Sequence, residues 1–262
     1  MQVLENERFR VEINEFGAEL TRFTSKKDGT EYVWKGDPAA WKRHAPILFP
    51  IVGRLKDKTY TVDGKPYEIT QHGFGRDLAW QAQKISDTCA EFTLTPSEYT
   101  KKMYPWDFIC TVRYTLDGNA LKKEHIVKNT SDSVMYYEVG GHDAYTLCWE
   151  DGEKITDYYV EFEGTDALSR IATDENVMLT ADRVSVHRRQ TADFPRAVCK
   201  RCGYDRGSAV PHGDHCQQQK SPPCDDGLHR LRLFCSVEPV QGFRGTVRLP
   251  RAVEHPAGRQ SP

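Results

Sequence analysis

The feature that most constrains this chain is a series of short segments that alternate polar and apolar residues and are separated by tight turns. "RFRVEI" at 8–13 alternates residue by residue, which is typical of a strand with one buried face. Segments 58–70 and 108–129 each divide into two such strands around an Asp-Gly turn, a strong hairpin signal. Shorter strand-like runs lie at 32–34, 46–52, 89–95 and 158–164. Because no segment shows a long helical period, the pattern predicts an all-β chain built as a large antiparallel sandwich.

The composition of the chain changes near residue 182. Residues 1–182 hold 22 Lys+Arg against 31 Asp+Glu, a net −9, whereas 183–262 hold 14 against 7, a net +7. The second part has five of the eight cysteines and eight of the fourteen prolines, but no Ile or Met. Since packed domains draw on Ile and Met for their cores, we expect a folded domain over 1–185 and an unstructured tail over 186–262.

Targeting and partner signals are sparse. The N-terminus "MQVLENERFR" has no signal-peptide core, and no apolar stretch is long enough to span a bilayer. The basic tail has few aromatic residues and no recognisable nucleic-acid module. We therefore expect a cytoplasmic protein with neither membrane nor nucleic acid as a partner.

Four motifs together carry a resemblance to a known family. They are "ILFPIVGRL" (47–55), "QHGFGRD" (71–77), "YPWDFICTVRYTLDGNAL" (104–121) and "EVGGHDAY" (138–145). In this order they resemble the aldose 1-epimerase (galactose mutarotase) family, particularly its LacX-like branch. The resemblance implies a galactose mutarotase-like β-supersandwich with an open sugar-binding face, here truncated at its C-terminal strands. The family usually has Pro and Phe where this chain has Asp143 and Tyr145, two positions that we expect to shape the pocket.

The resemblance also implies an activity, the interconversion of the α and β anomers of an aldose without a cofactor. By motif position, His142 corresponds to the general acid and His72 to a second pocket histidine that binds or polarises the sugar. Arg54 and Arg76 match positions that direct polar groups into the pocket, and in relatives that act on hexose phosphates such arginines hold the phosphate. Two alternatives stay open: a hexose-6-phosphate mutarotase, and a carbohydrate-binding member without catalysis.

Each of these residues also has a structural interpretation. Taken alone, His142 is more often a polar residue at a strand end than an acid, and Arg54 and Arg76 could pair with acidic neighbours. His44 and His125 have no motif support and are expected to be structural. Four of the five tryptophans are expected to lie in the core, although one exposed near the cleft could stack on a sugar; the four are Trp34, Trp41, Trp80 and Trp106.

The base that the family carries, a glutamate in a run resembling F-V-C-L-E-P-W, has no clear counterpart. Glu238 in "SVEPV" has surroundings that do not match. A shift of one nucleotide, however, lets "VRLPRAVEHPA" (247–257) be reread as F-V-C-L-E-P-W-S-T-L, and "RAVCKRCGY" (196–204) as E-L-F-A-N-D-A-V. We therefore expect the tail to be a frameshift product that lacks the last strands and the base.

The tail also contains residues of the types that bind zinc. They are Cys199, Cys202, His212, His215, Cys216 and Cys224. A single C-x-x-C without a second one is a modest signal, and residues from a shifted frame have no reason to converge on a metal. We expect no metal site.

Overall fold

The computed structural model describes residues 1–147, 158–161, 168–174, 179–186 and 189–191. The described chain is built almost entirely of antiparallel strands. They are β1 (Gln2–Glu5), β2 (Phe9–Asn14), β3 (Glu19–Ser25), β4 (Ile47–Leu48), β5 (Thr59–Val62), β6 (Lys65–Glu68), β7 (Gln81–Ser86), β8 (Cys89–Leu94), β9 (Phe108–Asp117), β10 (Ala120–Asn129), β11 (Gly140–Gly141), β12 (Tyr159–Glu161), β13 (Leu168–Thr173), β14 (Leu179–Val186) and β15 (Arg189–Thr191). One short helix, α1 (Glu98–Lys101), and two 3-10 turns, Lys56–Lys58 and Gly75–Asp77, complete the described elements.

Two larger sheets form the sandwich. The first has the order β1-β2-β3 and the second has the order β10-β9-β8-β7. Strand β9 alternates buried and half-buried residues along its length, because successive side chains point to opposite faces of the sheet. The core between the sheets contains Val11, Ile13, Phe23, Phe92, Val112 and Tyr114. The Tyr114 hydroxyl donates a hydrogen bond to the Ala18 carbonyl at 2.8 Å, which joins the two sheets by a buried polar contact.

Both predicted hairpins are confirmed. β5 pairs with β6 and β9 pairs with β10, each across the expected Asp-Gly turn. Two of the four shorter strand-like runs, 46–52 and 32–34, are less regular than predicted. The run at 46–52 is a strand only at β4, because Pro46 and Pro50 cannot donate to a ladder. At 32–34 only isolated bridges form, since the Glu31 carboxylate accepts hydrogen bonds from the backbone N–H groups of Phe23 and Val33.

The predicted boundary at residue 185 falls inside β14, which pairs with β13. Beyond it, β15 pairs with β12. Most of the segment 186–262 lies outside the described residues, so its division from the rest of the chain stays a prediction. In the described part of the chain, no helix is both long enough and apolar enough to cross a membrane.

Candidate active site

His72 lies in a tight turn that follows the β5–β6 hairpin. His72 and Gly73 both have a φ of 66°, in the left-handed region. At Gly73 a Cβ atom would lie 2.3 Å from the Phe49 carbonyl oxygen, so only glycine fits there. The His72 N–H donates to the Gly53 carbonyl at 2.8 Å, and the Gly53 N–H donates to His72 Nδ1 at 2.9 Å. These reciprocal bonds fix both the backbone and the ring of His72.

His142 follows directly after β11, which pairs with β4. Its N–H donates to the Pro46 carbonyl at 3.1 Å, which continues this pairing by one more bond. Neither Gly140 nor Gly141 has a positive φ, so the two glycines do not give His142 an unusual backbone. The His142 side chain is exposed, and no hydrogen bond engages its ring nitrogens within the described residues.

The structure brings the two predicted histidines together. Their ring centroids are 5.9 Å apart and the rings are arranged edge to face. On the other side of His142, the half-buried Trp41 ring lies 5.2 Å away, centroid to centroid. The expectation that Trp41 belongs to the core is therefore wrong, whereas Trp34, Trp80 and Trp106 are buried as expected. No motif marked Trp41 as different from the other tryptophans.

The environment of His72 keeps its imidazole neutral. Burial lowers the pKa of His72 to about 4, and the positive charges of Arg76, His142 and Arg43 act in the same direction. Since Nδ1 accepts a hydrogen bond from the Gly53 N–H, the ring proton of the neutral form lies on Nε2. His72 is thus a hydrogen-bond donor at neutral pH and not a titrating acid.

Arg76 stabilises the turn that carries His72. Its Nη2 donates to the Gln71 carbonyl at 2.7 Å, and its Nε lies 3.5 Å from the Asp77 carboxylate. Arg43, which no motif identified, donates to Asp77 at 2.7 Å and lies close enough to help burial lower the pKa of Arg76. The contact between Arg43 and Asp77 joins residues that are 34 positions apart, so no local sequence pattern indicates it.

Arg54 is exposed and reaches the site through Gln71. Its Nη2 donates to Gln71 Oε1 at 3.3 Å, and the amide nitrogen of the same side chain lies 3.3 Å from His72 Nε2. With the ring proton on Nε2 both of these nitrogens are donors, so the second approach is a contact and not a hydrogen bond. Both predicted arginines are therefore adjacent to His72, one through the backbone and the other through the side chain of Gln71.

Asp143 and Tyr145, expected to shape the pocket, belong to the interior instead. The Asp143 carboxylate lies 2.5 Å from Lys123 Nζ, with 14% and 4% of the two side chains exposed. Tyr145 packs against the core, and burial together with the Asp143 charge raises its pKa. The reason is the alternation of side chains, which directs His142 and Asp143 to opposite faces.

His44 and His125 are the two histidines that were expected to be structural. The His44 N–H donates to the Glu19 carboxylate at 2.6 Å. His125 is buried on β10, and its Nδ1 has no hydrogen-bond partner in the described part of the chain.

A general base is not evident at the site. In the described ranges, no hydrogen bond or ion pair joins His72 or His142 to a carboxylate. Glu238 and the six zinc-type residues of the tail lie outside the described residues. Within the described residues, no group of three or more acidic, cysteine or histidine side chains could hold a metal ion.

A separate groove of about 600 Å³ lies between the β5–β6 hairpin and residues 130–136. Its walls include Tyr67, Trp106 and Tyr136, together with the carboxylates of Asp63 and Asp132. Neither histidine contributes to it, so the groove and the candidate active site are different places.

Comparison with protein families gives a match over most of the chain. The model of the family described as Aldose 1-epimerase matches residues 1–222. The chromosomal protein LacX of Lactococcus lactis subsp. lactis is 33% identical over 172 residues, which cover 63% of this chain and 57% of the relative. The chain therefore spans little more than half the length of the LacX proteins that it matches.

Solved structures show the same fold. A galactose mutarotase related enzyme from Lactobacillus acidophilus is 35% identical with a TM-score of 0.68, over 71% of this chain and 62% of that one. A galactose mutarotase-like protein from Lactobacillus casei is 31% identical with a TM-score of 0.68, over 72% of this chain and 66% of that one. The predicted galactose mutarotase-like β fold is confirmed.

Proposed function

Because the chain belongs to the aldose 1-epimerase family, we propose that it binds an aldose at the face formed by His72 and His142 and interconverts its α and β anomers. The observation that carries this proposal is the 5.9 Å separation of two imidazoles from distant motifs. One is exposed and the other is held rigidly by the backbone of Gly53.

Anomer exchange opens and closes the sugar ring. A base removes the proton of the anomeric hydroxyl while an acid protonates the ring oxygen, and the aldehyde rotates before the ring closes again. His142 is the acid, since its ring is exposed and its nitrogens have no partner among the described residues. Ring opening and closing require a group that donates a proton and recovers it, a role that histidine fills most often in enzymes.

His72 has a binding role in this scheme. Its neutral ring carries a proton on Nε2, which donates a hydrogen bond to a sugar oxygen. Arg76 holds the turn in place through the Gln71 carbonyl, and the exposed Arg54 extends the polar rim. Trp41 offers an apolar ring face next to His142, on which a pyranose can stack.

We propose that this chain lacks the general base and that its activity is impaired for that reason. His142 cannot replace the base, because the acid and the base act on different oxygens of the same ring. A frameshift in the tail, at about residues 183–190, accounts for the loss of the family glutamate. The protein then retains sugar binding and loses most of its rate.

Polarimetry and sugar binding together test the proposal. Freshly dissolved α-glucose and α-galactose are followed to equilibrium with and without the protein, and affinity is measured by calorimetry. Binding that weakens by about twofold to tenfold in His72→Gln supports the site. If neither sugar binds and neither relaxes faster than in buffer, the proposal is wrong.

A second candidate substrate is a sugar phosphate. Arg43, Arg54 and Arg76 provide three guanidinium groups close to His72 or its turn, and guanidinium binds phosphate bidentately. Asp77 and Glu19 supply compensating negative charge to Arg76, which is why a neutral sugar stays the first proposal. A marked preference for glucose 6-phosphate over glucose in the same binding experiment would reverse that order.

A further inference from the structure

A buried ion pair lies directly beneath the segment that carries His142. Lys123 Nζ and the Asp143 carboxylate are 2.5 Å apart, and both side chains are largely removed from solvent. Within the described residues Asp143 is the only recorded partner of the buried Lys123 ammonium, whereas the Asp143 carboxylate also has a hydrogen bond with Tyr145, so loss of Asp143 would leave a buried positive charge without a partner. The ion pair joins β10 of the second sheet to the segment that follows β11.

The position of Gly141 shows how closely the ion pair approaches this segment. A Cβ atom on Gly141 would lie 3.2 Å from Lys123 Nζ and 3.4 Å from the Asp143 carboxylate. Glycine therefore leaves the space in which the ammonium group meets the carboxylate. The segment is also held by backbone hydrogen bonds: the N–H groups of His142 and Ala144 donate to the carbonyls of Pro46 and His44, and the Ala144 carbonyl accepts from the Trp34 N–H.

We propose that the ion pair between Lys123 and Asp143 is a positioning device that fixes the backbone of His142 against β4. This inference rests on the proposed function, in which His142 is the acid. Backbone hydrogen bonds hold the segment along its edge, and the ion pair ties its side-chain face to Lys123 on β10. Asp143 is adjacent to His142 in the chain, so a shift of its carboxylate moves the imidazole relative to His72 and to a bound sugar.

The test separates positioning from stability. In Lys123→Met/Asp143→Leu both charges are replaced by apolar groups, which commonly leaves the stability of a protein nearly unchanged. We expect a melting temperature close to that of the parent chain, together with faster hydrogen exchange at the amides of His142 and Ala144. Lys123→Arg/Asp143→Glu keeps the charges and should restore slow exchange.

The matched control is the ion pair between Lys122 and Glu124 on the opposite face of the same strand, where the two groups are 3.0 Å apart. Lys122→Met/Glu124→Gln should leave exchange at the two amides unchanged. In mutarotation by the protein with its reading frame restored, the Lys123→Met/Asp143→Leu variant should lose kcat by about tenfold to a hundredfold at constant KM, as expected for a misplaced catalytic group.

The two proposals can fail separately. If the His142 amide exchanges at the same rate in Lys123→Met/Asp143→Leu as in the parent chain, the positioning role is overturned, whatever the activity of the variant. Mutarotation that survives His142→Ala in the protein with its reading frame restored would instead overturn the proposed function, while the exchange data still decide the role of the ion pair.

Discussion

The imidazoles of His72 and His142 lie 5.9 Å apart, edge to face, although they come from separate motifs. The two rings differ in how they are held by hydrogen bonds. His72 is fixed by two hydrogen bonds to Gly53, whereas the ring nitrogens of His142 have no partner in the described part of the chain. This asymmetry supports the proposed roles, in which His72 binds the sugar and His142 donates the proton.

Affinity for sugar should therefore depend on His72 more than on His142. We expect His72→Gln to weaken the binding of glucose or galactose by about twofold to tenfold, the value of one hydrogen bond. His142→Gln should change affinity less, because its proton is needed mainly in the transition state. Calorimetric titration of both variants measures the difference, and a larger loss of affinity in His142→Gln would reverse the assigned roles.

Trp41 should contribute to sugar binding through its ring face. Trp41→Ala removes a half-buried ring next to His142, and we expect affinity to fall by about twofold to tenfold. Trp41→Phe keeps an aromatic face and should retain most of the affinity. Quenching of tryptophan fluorescence by sugar should disappear in both variants; quenching that persists would place the sugar elsewhere.

The turn that carries His72 should tolerate no side chain at Gly73. Gly73→Ala combines left-handed strain with a Cβ atom 2.3 Å from the Phe49 carbonyl oxygen. Gly64→Ala is the matched control, since Gly64 also has a positive φ but nothing within 4 Å of its Cβ position. We expect Gly64→Ala to lower the free energy of unfolding by about 1–2 kcal/mol and Gly73→Ala to lower it by more. Equal losses in urea unfolding would show that the turn relaxes around the methyl group.

Stability should fall as the pH is lowered, in part because of His125. Burial, with Lys123 adding to it, lowers the pKa of His125 to about 4 from an ordinary value of 6.5. The unfolded chain therefore binds a proton at a higher pH than the folded chain does, so the stabilisation is complete above about pH 6.5 and is lost as the pH falls toward 4. Its size is on the order of 3 kcal/mol.

His125→Gln should flatten this dependence in urea unfolding between pH 4 and pH 7. The folded-state pKa of His72 is lowered in the same direction, but the ring is half-exposed and solvent screens its charge, so His72→Gln should flatten the curve less. A pH dependence that is unchanged in His125→Gln would contradict the assignment.

The sequence predicted those elements whose signals are local. The β5–β6 and β9–β10 hairpins follow from Asp-Gly turns between alternating strands, and both occur where predicted. The motif order placed His72 and His142 at one site. Three relationships depend on contacts between distant parts of the chain and left no local trace: the pairing of Arg43 with Asp77, the place of Trp41, and the ion pair of Lys123 with Asp143.

The last prediction concerns the missing base. Loss of one partner in acid–base catalysis typically costs about a hundredfold to ten-thousandfold in rate. We expect the chain to be nearly inactive in polarimetry, and an unpaired sheet edge to favour its aggregation. Restoring the reading frame near codon 185 should restore mutarotation, and His142→Ala in the restored protein should abolish most of it.

The coding DNA across codons 180–200 gives an independent check, since it shows directly whether a single nucleotide separates the two frames. Full mutarotase activity in the unrestored chain would contradict the frameshift. The base would then have to be one of the carboxylates present, and Glu238→Gln is the first variant to measure. A rate unchanged in that variant would exclude Glu238, whereas a loss comparable to that of His142→Ala would identify it as the base.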